Sequence, residues 1–134
     1  MRIAVIDGQG GGFGKYIVER LRKELPEETE IIALGTNAMA TSAMLKAGAN
    51  EGASGENAIV CNANKVDLII GTIFIIVANS MLGELTPRMA EAIASSPAPK
   101  LLLPVNRAGI EVVGAEEGPL PHLLDRLMAR LKNR

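Results

Sequence analysis

Four apolar residues, Ile3 to Ile6, end abruptly in Asp7-Gly8-Gln9-Gly10-Gly11-Gly12-Phe13-Gly14-Lys15, and a helical repeat starts directly behind them. This junction constrains the fold more than any other stretch. An uninterrupted apolar run bounded by turn residues reads as a strand covered on both faces, which parallel sheets provide. Behind the turn, Ile17, Val18, Leu21 and Leu25 recur at helical spacing over Phe13 to Leu25, and Pro26 stops the helix. The combination is the βα entrance of a nucleotide-binding Rossmann unit, where bare amides at a helix N-terminus can hold a phosphate.

The rest of the chain repeats the alternation. Strands are expected at Glu30–Leu34, Asp67–Ile70 and Lys100–Val105, with a fifth, Ile110–Val113, returning antiparallel after a hairpin at Asn106 to Gly109. Helices are expected at 38–46, stopped by Gly48, and at 55–64, capped by Ser54. Others are expected at 73–82, at Pro87 to Ser95 capped by Thr86, and at Leu120 to Lys132. Ala49 to Gly55, rich in small residues, reads as a loop. These elements predict one α/β domain over residues 1–134. Its form is a three-layer, doubly wound, mainly parallel sheet of about five strands, ordered about 2-1-3-4-5 with the last strand antiparallel at the edge. The ligand crevice should lie where the order reverses, between the first and third strands.

Composition removes several function classes. The net charge is −1, Trp is absent, and Tyr16, Phe13 and Phe74 are the aromatic residues, so neither the basic face nor the stacking platform of a nucleic-acid reader is present. One cysteine, Cys61, and one histidine, His122, make no metal cluster, and no metal is expected. Cys61 reads as core and His122 as surface or cap. Met39, Met44, Met81, Met89 and Met128 read as core or interface. Arg2 and the short run behind it cannot make a signal peptide, and Leu68–Leu82 is too short and too polar for a membrane span of about 20 residues. A cytoplasmic protein without a membrane partner is expected.

The glycine loop meets one known spacing in full. The P-loop pattern fails, because Gln9 stands at its first glycine and Tyr16 at its magnesium-binding hydroxyl. The fingerprint Gly-x-Gly-x-x-Gly finds only Gly11 and Gly14. Gly-x-x-x-Gly-x-Gly is satisfied by Gly8, Gly12 and Gly14, and Val5 through Leu21 resembles the nucleotide-binding turn of short-chain dehydrogenases. That likeness implies that these glycines contact a dinucleotide pyrophosphate, with Val66 to Gly71 similar to the strand beside the cofactor. Gly35-Thr36-Asn37 stands where the family carries an acid for the ribose, and the catalytic Tyr-x-x-x-Lys pair is missing. The whole pattern also resembles a short bacterial family of Rossmann-like proteins of unknown function, at 6–12, 33–37 and 103–107.

Lys15 sits in the first helical turn, where the macrodipole disfavours a cation by about 0.3–1 kcal/mol and a bound phosphate would reverse the sign. The expected ligand-binding residues are therefore Gly8, Gln9, Gly10, Gly11, Gly12, Phe13, Gly14 and Lys15, joined on the same rim by Thr36, Asn37, Thr72 and Asn106. The leading functional expectation is a nucleotide or dinucleotide of the NAD(P) type, or another phosphate-bearing ligand. A second is a small enzyme on a phosphorylated or carboxylated metabolite, with Asp7 as base or metal ligand and Arg107 as anion clamp. A third is a regulatory or structural oligomeric subunit without a ligand. Ile73 to Leu82, apolar almost all round as a helix, predicts a homodimer through that element.

Overall fold

The computed structural model describes residues 1–105, 109–115 and 118–134. Its element order is β1 (Arg2–Asp7), α1 (Gly12–Glu24), β2 (Glu30–Gly35), α2 (Ala38–Lys46), β3 (Glu51–Ser54), α3 (Glu56–Asn62), β4 (Leu68–Thr72), a 3₁₀ turn (Ile73–Ile76), α4 (Pro87–Ser95), β5 (Lys100–Leu103) and α5 (Leu120–Lys132). The strands form one sheet in the order β3-β2-β1-β4-β5, and every pairing is parallel.

Alternation along β1 divides the core. Ile3 and Val5 join Ile17, Val18 and Leu21 of α1, Met44 of α2, and Leu123, Leu124, Leu127, Met128 and Leu131 of α5. Ala4 and Ile6 join Ile59 of α3 and Met89, Ala90 and Ile93 of α4 on the opposite face. Both faces of β1 are therefore covered, as its continuous apolar run requires. Each fully buried Ile or Leu contributes about 1.5–3 kcal/mol of transfer free energy. Outside the core, Arg20 pairs with Glu24 at 2.6 Å and Asp125 at 2.8 Å, tying α1 to α5 across the surface.

Three expectations about the sheet need correction. The stretch read as a loop at 49–55 contains β3, which pairs with β2 from Ile32↔Glu51 to Gly35↔Ser54 and so shifts the strand order. Ser54 belongs to that strand, where its hydroxyl donates to Thr41 Oγ1 at 2.7 Å, and Gly55 takes the N-cap position of α3. The antiparallel edge strand at 110–113 does not form: Ile110 makes an isolated bridge, and the last strand, β5, is parallel. The hairpin turn at 106–108 lies outside the described residues.

The helix expected at 73–82 is absent. A single 3₁₀ turn buries Phe74 and Ile75, and the chain then winds through consecutive turns to Leu85. Of the large apolar residues in that segment, only Leu82 is exposed, at 96%. The apolar helix face on which a homodimer was expected thus does not exist, and the dimer loses that physical basis. A smaller expectation also fails: Cys61 is exposed on α3, which turns Ile59 inward instead, while Met39 lies on the surface at the start of α2 rather than in the core. His122 is on the surface, as expected. Among the described residues no helix is long and apolar enough to cross a membrane.

Candidate functional site

The chain moves outward from β1 through β2 to β3, crosses back, and resumes at β4 on the other side of β1. The loops leaving β1 and β4 therefore diverge and leave a crevice at the C-terminal ends of the strands. A cleft of about 320 Å³ lies there, lined by Asp7, Gly8 through Phe13, Tyr16, Thr72, Phe74, Met81 and Leu120.

The glycines of the turn divide into two sets. Gly11 is the N-cap of α1 at φ 73, and a Cβ there would lie 2.9 Å from the Ala40 Cα of α2. A Cβ on Gly14 would meet Met44 Sδ at 2.6 Å and Asp7 Cβ at 2.9 Å. On Gly8 it would stand 2.5 Å from both Met81 Sδ and Thr36 Oγ1. These three glycines are demanded by packing or by a left-handed backbone. Gly10 and Gly12 are different: neither has a positive φ, and a Cβ on either would meet nothing within 4 Å.

Asp7 closes the floor of the cleft. Its Oδ2 accepts from the Gly14 N–H at 2.7 Å, and its carboxylate is also within bonding reach of the Gly8 and Phe13 amides. Burial nonetheless outweighs these bonds and pushes the carboxyl above its ordinary range, with the charge of Glu84 adding to the rise. Glu84 responds in the opposite direction. Its Oε1 accepts from Thr36 Oγ1 at 2.7 Å, the Gln9 N–H at 2.8 Å and Asn37 Nδ2 at 2.7 Å. The Thr36 bond, followed by that from Gln9, holds the Glu84 carboxyl below its ordinary range.

Most of the residues expected at the site are brought to one rim, in distinct roles. Gly8 to Phe13 and Thr72 line the cleft, and the Thr72 hydroxyl accepts from the Phe74 N–H at 3.2 Å, starting the 3₁₀ turn. Gly14 supports Asp7 from inside. Thr36 and Asn37 turn toward Glu84, and Asn37 also caps α2 by accepting from Ala40 N at 2.9 Å. Lys15 does not line the cleft, and its Nζ lies 5.5 Å from the centre of the Tyr16 ring. Asn106 and Arg107 lie outside the described residues. Among those described, no three His, Cys, Asp or Glu side chains are grouped as metal ligands.

Sequence reading missed Glu84, Phe74, Met81, Tyr16 and Leu120. Tyr16 had a usable signal, because it follows the glycine run by a single helical turn. Glu84 had none, lying far along the chain beyond a segment read as helix. No curated protein and no solved structure matches the chain. The family model of a domain of unknown function, DUF3842, matches residues 2–134, and the chain belongs to that family.

Proposed function

We propose that the protein binds a nucleotide, or another phosphate-bearing ligand, in the cleft above β1 and β4, with a phosphate on the Gly10 and Gly12 side of the loop. One observation carries this reading. The fold itself gives no reason for glycine at 10 and 12, yet both line the cleft at the start of α1, and a Cβ on either would meet nothing within 4 Å. A ligand approaching the backbone closely supplies the missing reason. The amides of Gln9 and Gly14 are already engaged by carboxylates. Phe74, Met81 and Leu120 give the cleft an apolar wall suited to a base or another flat group.

Thermal shift tests the reading directly. At millimolar concentration, at least one of NAD, NADP, FAD, ATP, GTP and the nucleoside monophosphates should raise the melting temperature, and Gly12→Val should abolish the rise. No shift from any of them would refute nucleotide binding.

A second reading, a small enzyme using Asp7 as acid or base, is favoured by the opposed shifts of two carboxyls at one loop. Asp7→Asn separates it from simple binding. An enzyme keeps affinity and loses turnover of a phosphorylated or carboxylated substrate, whereas a binder has no turnover to lose.

A further inference from the structure

Residues 77–85 cross the rim between the 3₁₀ turn and α4 in an unusual backbone conformation. Asn79, Met81 and Leu82 all take positive φ, at 66, 58 and 57°, followed by Gly83 at 89°. Left-handed backbone is unfavourable for side chains with a Cβ, so external contacts must hold the segment in place. Ser80 Oγ donates to Phe74 O of the 3₁₀ turn at 2.7 Å, and Asn79 N donates to Leu85 O at 2.7 Å, but neither bond reaches the glycine loop. Its hydrogen bonds to the β1–α1 and β2–α2 turns are made by Glu84.

Three donors from two different turns converge on one oxygen of that carboxylate. Such convergence suits an oxyanion from any source, since charged acceptors make the stronger hydrogen bonds. We infer that the Gln9 N–H, the Thr36 hydroxyl and the Asn37 side-chain amide form a receptor for a phosphoryl oxygen, which Glu84 occupies as an internal stand-in that latches residues 77–85 over the glycine loop. This inference rests on the phosphate reading of Gly10 and Gly12 given above. The Gln9 N–H of the receptor and the open Gly10 belong to successive residues, so the two anion positions share one stretch of the loop. The ligand class is therefore a diphosphate: one phosphoryl group faces the open amides, and the other displaces Glu84. Displacement would also free Met81, whose sulfur packs over Gly8 and whose side chain lines the cleft. The bound state is thus one in which 77–85 has left the loop.

Hydrogen exchange and a pyrophosphate titration of ¹⁵N-labelled protein test this together. Without any anion, Glu84→Ala should exchange the amides of 79–84 and of Gln9 about tenfold faster than wild type, from loss of a charge-assisted set of bonds. Glu84→Gln should fall between the two, and serves as the test if the alanine variant fails to fold. Unchanged exchange in the variant overturns the latch. Inorganic pyrophosphate should bind Glu84→Ala about tenfold more tightly than wild type, shifting the Gln9 amide and the Asn37 side chain. Binding of equal strength in both proteins, with shifts at Gly10 and Gly12 alone, overturns the receptor and leaves the glycine-loop reading standing. Binding to neither protein overturns both.

Discussion

Two sides of the same glycine loop obey different rules. On the packed side, Gly8, Gly11 and Gly14 touch Met81, Ala40, Met44 and Asp7 so closely that any side chain would displace a neighbour. On the open side, a Cβ on Gly10 or Gly12 would meet nothing within 4 Å. A spacing motif cannot tell these apart, since the pattern met by 8, 12 and 14 draws on both sets. The comparison teaches that a glycine signature is part architecture and part site, and that only the unexplained glycines speak for a ligand.

Substitutions can break that comparison, the largest effect first. Gly11→Val places a β-branched residue at φ 73 against the Ala40 backbone. It should cost about 3 kcal/mol or more in urea unfolding, summing left-handed strain and overpacking. Gly14→Ala should cost about 1–3 kcal/mol, because Met44 can yield but Asp7 Cβ cannot easily do so. Gly12→Ala should leave stability unchanged or raise it by about 0.4–1 kcal/mol, through the smaller entropy of the unfolded chain. If Gly12→Ala unfolded the protein as Gly11→Val should, the division into two sides would be wrong.

The two carboxyls sharpen the comparison through pH. Burial raises the Asp7 pKa above its ordinary 3.8, so between that value and the raised one the native state holds more protons than the unfolded chain. Stability contributed at Asp7 is therefore greatest at low pH and is lost as pH rises through the raised value. Asp7→Asn removes this dependence, and the stability of wild type relative to the variant should fall from pH 4 toward neutrality. Glu84 acts the other way: its pKa lies below the ordinary 4.5, so its contribution is present above that value and is lost on acidification through the lowered one. A wild-type stability difference from Asp7→Asn that stayed flat across this range would contradict the buried placement of Asp7.

A smaller effect concerns the crossover. Leu82 is left-handed and almost wholly exposed. Leu82→Gly should raise stability by about 0.5 kcal/mol, the relief of left-handed strain less the added unfolded-state entropy, measured by urea midpoint.

What could be read from the chain was local. The β1–α1 turn, the cap at Thr86 and the inward face of α5 depend on neighbours in sequence, and they form as expected. β3 was hidden because Glu51-Gly52-Ala53-Ser54 has no alternation of its own. It becomes a strand by lying along β2, with Gly52 admitting Thr41 and Leu45. The run Ile73 to Leu82 has helical apolarity, but Phe74 and Ile75 are drawn into the core at the end of β4 and the chain then turns left-handed. Glu84 reaches the glycine loop only because of that path, across 75 residues of sequence. Phe74, Met81, Glu84 and Leu120 therefore enter the candidate site as tertiary products that periodicity could not reveal.

The most direct measurement is a titration of ADP into ¹⁵N-labelled wild type and Gly12→Val. The account predicts amide shifts centred on Gln9 to Phe13, Thr72 and Phe74 in wild type. It also predicts loss of those shifts in a variant whose spectrum and urea midpoint otherwise match wild type. Undiminished ADP binding by folded Gly12→Val, or wild-type shifts centred away from the cleft, would contradict it.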